Sequence, residues 1–467
     1  MLNTAQSKND RLPNALSPYP YNQKDAHRMN ASLIAVSCVL AALLPGTEDT
    51  WPAFRGDGAS HTPARDLPLH WSPEENIAWT AAIRGYGQSS PVIWNDRAFV
   101  TSVEGAEKET CIITAFNLAT GEAVWQQTFD AAQRIEMSNA VSKGAPSPVV
   151  DARGVYAFFE SGDLIALSHT GEILWRRNLV ADYGVTHMRH GLGSSLAHTA
   201  DAVYVLIEQA APSLLIAFDK ADGAERWQAA RNGSTAWTSP VVAEMGGRET
   251  ILISSDTSLS QYDAQSGALI QTLDALSGIS IPSPAVSGEM VVVGANSRRP
   301  SQAERTPERS NCAVRLPEAP GAPIEIVWEG DGAQADYASP LIHQGNVYFV
   351  TARGDVQCRD LETGAVHYTE RAHPCWATPI AAGDRIYLFG KYGDVTVIAA
   401  GDAFEVLARN RLWPAPEGDG ANAEPAEEDP RSPDYTPKVT VYAAAAVNRT
   451  FLARTGNTLF AIRKPAE

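Results

Sequence analysis

Polar turns followed by apolar runs of strand type set the pattern of this chain, as in Asn95-Asp96-Arg97-Ala98-Phe99-Val100 and Gly345-Asn346-Val347-Tyr348-Phe349-Val350. Each such run is preceded by a small residue, usually with proline, that opens another short strand. The starts are Ser90-Pro91-Val92, Ser147-Pro148-Val149, Ser239-Pro240-Val241, Ser283-Pro284-Ala285, Ser339-Pro340-Leu341 and Thr378-Pro379-Ile380, with Ser195-Leu196 a degenerate member. Proline at the first residue of a strand costs no ladder hydrogen bond, so it marks where the strand begins.

A third strand ends in Ala-x-Asp/Asn, then Gly, then three residues and a large ring. The pattern reads Ala115, Asn117, Gly121, Trp125 and again Ala217, Asp219, Gly223, Trp227. Glycine supplies the positive φ of a tight turn, and the Asp or Asn side chain can bond the turn backbone. The ring lands on a fourth strand, where an indole can bury on the order of 150–250 Å² against a neighbouring unit. Fourth-strand positions fall at Trp79, Trp125, Trp175, Trp227, Gln271, Trp328, Tyr368 and Leu407, spaced by roughly 40 to 57 residues. One four-stranded sheet per unit predicts an all-β fold, an eight-bladed β-propeller of antiparallel blades. The last unit, with strands at 441–447, 450–454 and 458–462, lacks a fourth strand. The N-terminal run 76–83 supplies it, so the ring closes by pairing the N-terminal strand with the C-terminal strands, which removes a free sheet edge.

The propeller is expected over residues 47–467, with loop insertions at about 297–323 and 414–437, whose Arg/Glu/Pro-rich and acidic Pro-rich compositions suit no core. The lead Trp51–Trp71, punctuated by Gly and Pro, is expected to lie across the ring. With 44% hydrophobic residues and 11 Trp the body is globular, and a net charge of −17 without a basic stripe argues against a nucleic-acid partner.

Residues 1–46 read as an export signal or unstructured leader. The apolar, uncharged stretch 31–44 follows Lys24, His27 and Arg28 and stops at Pro45-Gly46. It is short for a bilayer span, so an exported, periplasmic or extracytoplasmic location is expected, with Met1 or Met29 as start and with membrane association only if Cys38 carries a lipid. Cys111, Cys312, Cys358 and Cys375 show no metal-ligand spacing and read as packed thiols or as one disulfide, Cys358 and Cys375 being the closest couple.

The repeat is similar to the tryptophan-docking motif of quinoprotein dehydrogenase propellers, and the same repeat occurs in the bacterial outer-membrane assembly lipoprotein. Over roughly residues 51 to 464 the chain therefore resembles the PQQ-like β-propeller repeat family. For the alcohol dehydrogenases of that group the resemblance implies a vicinal Cys-Cys disulfide, a calcium held by Glu, Asn and Asp, and a catalytic Asp. No two cysteines are adjacent here, and no Asp-Tyr-Asp cluster or CxxCH haem motif is present. No catalytic residue is assigned, and no cofactor is expected; pyrroloquinoline quinone with calcium enters only under the alternative of a dehydrogenase.

A binding role rests on the segments before the innermost strands, which line one mouth of the channel. They carry Tyr86 and Gln88, then His187, Arg189 and His190, then Trp237, Tyr337, His373 and Trp376. Aromatic and polar groups converging on a concavity are a default ligand or partner site, while the same rings could simply plug the channel. The pair His187 and His190 lacks a helix to align it and an acid or thiol to complete a shell, so no metal is expected. The leading expectation is an exported, non-catalytic scaffold or protein-binding module whose partners are other envelope proteins or a small ligand at the mouth. The alternatives are the quinoprotein dehydrogenase and a carbohydrate-binding propeller.

Overall fold

The computed structural model describes residues 50–465, apart from 138–141, 187–190, 210, 233–235, 256–257, 277, 279, 296–310, 318–321, 331–334 and 415–437. Within them the chain forms eight antiparallel sheets. Blade one is β3 (Val92–Trp94), β4 (Arg97–Glu104), β5 (Thr110–Asn117) and β6 (Ala123–Asp130), ordered from the channel outward, and six further blades repeat the meander. Blade eight joins β31 (Ala443–Val447), β32 (Thr450–Arg454) and β33 (Thr458–Arg463) to β2 (Ile77–Ala82). Trp79 stands opposite Ala461 and Ala82 opposite Thr458, so the two ends of the chain close the ring as expected.

The recurring Trp and Gly meet between blades. The Trp79 indole N–H donates to Leu118 O at 3.0 Å, Trp125 to His169 O at 2.9 Å, Trp175 to Lys220 O at 2.9 Å, Trp227 to Ala264 O at 3.2 Å and Trp328 to Leu361 O at 2.8 Å. Each acceptor lies in the third turn of the next blade. The glycine of that turn lies against the ring: a Cβ on Gly121, Gly171, Gly223, Gly267 or Gly364 would stand 2.4–2.8 Å from an indole carbon. Glycine is thus required twice over, by positive φ and by the ring on its Cα. Tyr368 makes the corresponding contact edge-on to Phe404, with centroids 5.4 Å apart, whereas Gln271 bonds Gln261 of its own sheet.

Leu407 does not hold the eighth docking position. The bulge between Val397 and Ile398 skips it and brings Ala408 opposite Val397, the register that Trp227 has with Ala217. The small side chain leaves room for the lead. Trp71 packs there in one cluster with Ala408, Phe389 and Phe451, and Asn410 fixes it by accepting from Trp71 N and donating to Leu69 O, both at 3.0 Å.

The small residue at each strand start is a link as well as a punctuation mark. Ser90 N donates to Ser147 Oγ, Ser147 N to Ser195 Oγ, Ser195 N to Ser239 Oγ, Ser239 N to Ser283 Oγ, Ser283 N to Ser339 Oγ and Ser339 N to Thr378 Oγ1, all at 2.8–3.1 Å. Each N–H at the head of an innermost strand finds its acceptor in the next blade, so the hydroxyls form a buried belt around the channel. By register Ala443 takes this place in blade eight and has no hydroxyl. There Arg454 spans to blade one, donating to Ser89 O at 2.9 Å and to Ser89 Oγ.

The segment 297–323 is not loop throughout: Cys312–Arg315 is strand β21, the buried third strand of blade five. Its Arg/Glu/Pro-rich flanks masked a four-residue run, while most of 297–323 and of 414–437 lies outside the described residues. The leader 1–46, with the stretch 31–44 and Cys38, lies outside them too. The four remaining cysteines are free, buried thiols.

Candidate functional site

A meander of four antiparallel strands puts the segments before each innermost strand on the same face of the ring as the turns between second and third strands. The opposite mouth is covered. Thr50–Trp51 (β1) pairs with Ile93 and Trp94, Pro52 O accepts from Val150 N at 2.8 Å, and Arg55 donates to Pro284 O at 2.7 Å. Ser60 and Thr62 bracket Ala381 on its strand, and His61 reaches Ile342 O at 2.7 Å. The lead therefore touches the innermost strands of blades one, two, five, six and seven, as a segment lying across the ring must.

On the face away from the lead, three of the residues singled out in the sequence come together. Tyr337 packs on Trp376 with centroids 4.7 Å apart, Trp376 on Tyr442 at 6.0 Å, and Tyr442 on Tyr86 at 6.2 Å. The two phenols share a hydrogen bond of 2.7 Å. The arc runs over the strand starts of blades six, seven, eight and one. Two ammonium groups rest on it: Lys391 lies 3.9 Å above the Trp376 ring and 5.1 Å from that of Tyr392, and Lys143 lies 5.5 Å above Tyr86. Cations so placed are attracted by the ring faces.

Burial pushes the Lys391 ammonium below its ordinary pKa and neighbouring Lys438 adds to this; burial does the same to Lys143, with Lys108 next. Arg454 is fully buried beside Tyr86 and Tyr442, and desolvation lowers it to about 9. Its guanidinium is spent on Ser89 and on Thr101 O at 2.5 Å, and its Nε has no partner. No carboxylate lies within ion-pair distance of Lys143, Lys391, Lys438 or Arg454 among the described residues.

The other residues do not join the arc. Gln88 accepts from Lys143 N at 2.9 Å and serves to fix that loop. Trp237 donates to Gly191 O at 3.0 Å and lies on Gly193, sealing one loop against the next. His373 bonds Thr396 Oγ1 at 3.0 Å inside blade seven, and burial lowers its pKa. His187, Arg189 and His190 lie outside the described residues.

Tyr442, Lys143, Lys391 and Arg454 were missed by the sequence reading. Tyr442 precedes an innermost strand of four alanines in which the Ser-Pro mark is absent, and Lys391 sits in a turn between second and third strands. The usable signal was a topological one: those turns share a face with the strand starts.

The family model described as outer membrane protein assembly factor BamB matches residues 71–210 and 165–423. No curated protein matches the chain in sequence. Among solved structures it is similar to BamB from Moraxella catarrhalis, at TM-score 0.55 and 15% identity over 83% of this chain and 97% of that one. It is also similar to the quinohemoprotein alcohol dehydrogenase from Comamonas testosteroni, at 0.59 and 11% over 90% and 81%. The computationally designed Ika8 protein matches at 0.54 and 12% over 82% and 98%. An assembly factor, a dehydrogenase and a designed chain thus share the fold, so the likeness bears on architecture alone. With the family model matched from residue 71 to 423, this chain belongs to the PQQ-like β-propeller family.

Proposed function

We propose that the chain is an exported, non-catalytic propeller of the cell envelope whose mouth on the face away from the lead binds a partner protein. The observation that supports this is the arc Tyr337–Trp376–Tyr442–Tyr86, a band of aromatic surface flanked by lysines on one face while the lead covers the other. Large, stiff rings give contact area at low entropic cost, and aromatic residues anchor protein interfaces. The family's description as an outer-membrane assembly factor favours a location in the envelope and a protein partner. Under this reading the propeller needs no cofactor.

The dehydrogenase alternative has less behind it, because its vicinal cysteines have no counterpart among Cys38, Cys111, Cys312, Cys358 and Cys375. The decisive experiment is titration of the purified chain with pyrroloquinoline quinone and calcium, followed by absorbance and by dye reduction with alcohols and aldose sugars. The proposal predicts neither stoichiometric binding nor turnover. Turnover would overturn it and make the mouth residues candidates for catalysis.

A further inference from the structure

Several sequestered cations of this fold are paired with acids, whereas buried Arg55 donates to the Pro284 carbonyl instead. Lys108 meets Glu160 at 3.2 Å, Lys220 meets Asp151 at 2.5 Å and Arg231 meets Glu208 at 3.0 Å. At the arc, Lys391 has no such acid among the described residues, and Lys143 feels only the acid Glu160, whose Oε1 already accepts from Lys108 Nζ and Gly144 N. Lys391, Lys143, Lys438 and Arg454 lie at or beside the arc with no acid within ion-pair distance among the described residues, on a chain of net charge −17. Both half-buried lysines are kept partly dry, and each is held over a ring. A carboxylate arriving there meets a cation in a medium less polar than water, where the attraction exceeds that of an exposed pair.

We propose, building on the partner-binding reading of the mouth, that the segment it receives is an acidic peptide, with carboxylates on Lys391 and Lys143 and apolar side chains laid on Trp376 and Tyr337. The centroid steps of 4.7, 6.0 and 6.2 Å make the arc long enough for four to six residues of extended chain at about 3.3 Å each, more than a small ligand requires. A nucleic acid would offer both anions and stacking bases, but its phosphate chain is repelled by the net charge as a whole.

The test uses the full chain and a fluorescein-labelled nonapeptide alternating Glu with Phe, its Gln-for-Glu analogue, and a labelled thymidine hexanucleotide, read by anisotropy at 50 and 300 mM NaCl. The acidic peptide should bind at least tenfold more tightly than the Gln analogue and the oligonucleotide, and should weaken with salt. Lys391→Gln and Trp376→Ala should each raise its Kd about tenfold with unchanged melting, Lys391→Arg should retain binding, and Arg463→Gln on the outer edge should have no effect. Equal binding of the Gln analogue, tighter binding of the oligonucleotide, or indifference to Lys391→Gln would overturn the inference. Were an envelope protein to cross-link to position 376 regardless of salt and of Lys391, the partner-binding reading would stand and only the acidic specificity would fall.

Discussion

The indole of Trp175 lies against Gly223 of the next blade: a Cβ there would stand 2.6 Å from Cε3, while the indole N–H donates to Lys220 O at 2.9 Å. Ring and glycine are two halves of one joint. Trp175→Ala should therefore destabilise the fold by about 3–5 kcal/mol through the cavity it leaves. Gly223→Ala adds overpacking of about 1–3 kcal/mol to the cost of its positive φ. Gly247, with similar φ and nothing within 4 Å, isolates the φ cost alone. Urea unfolding of the three variants checks this; equal losses for Gly223→Ala and Gly247→Ala would contradict the joint.

Removing one hydroxyl of the channel belt strands one donor. Ser239→Ala leaves Ser195 N without its acceptor at 2.9 Å, in a buried site, and should cost about 1–3 kcal/mol. Ser239→Thr keeps an oxygen at Cβ and should lose less. If the two variants unfold at the same denaturant concentration, the hydroxyl is not what the position needs.

Acid should loosen the joint between blades two and three. Lys220 Nζ donates to Asp151 Oδ2 at 2.5 Å and to His198 Nδ1 at 2.9 Å. Burial first, then the Lys220 charge, lowers His198 to about 4, so the imidazole stays neutral when folded and the unfolded chain binds the extra proton between pH 6.5 and 4. Stability from this group is complete above pH 6.5 and is lost as pH falls towards 4, by up to about 3 kcal/mol. Asp151 acts in the same direction at lower pH: burial raises it, but its bond to Lys220 and the Lys220 charge outweigh that and hold it below the usual value. Its contribution disappears as pH falls below 3.8. His198→Gln should flatten the stability curve between pH 6.5 and 4 by about one proton; an unchanged slope would refute a buried neutral histidine.

Export predicts a processed chain. N-terminal sequencing of protein recovered from the envelope fraction should begin beyond residue 44, or at a lipid-modified Cys38. Recovery of a chain starting at Met1 or Met29 from the cytoplasmic fraction would contradict the export reading.

Much of this fold could be read directly from residue types. The Trp and Gly spacing revealed the blades because one glycine and one indole make five of the eight joints, and the strand missing from the last unit identified β2. Other features were hidden by their chemistry. A serine before proline looks like punctuation until the next serine is seen accepting its N–H. Ala408 gives no sign that a bulge displaces Leu407 or that Trp71, more than three hundred residues earlier, fills its gap. At the mouth, Tyr86, Tyr337 and Trp376 could be found from the strand starts, and Lys143 stands as far before Ser147 as Tyr86 before Ser90, whereas Lys391 became visible only once a turn between second and third strands shared their face.

What meets Trp376 decides whether the mouth is the partner surface. With the photoreactive residue benzoylphenylalanine at position 376 of the full chain in its native host, irradiation should yield a discrete adduct with an envelope protein. The same residue at Ile173, exposed on the outer edge of blade two, should not yield that adduct. Absence of any adduct from position 376, or the same adduct from both positions, would contradict the mouth as the partner surface.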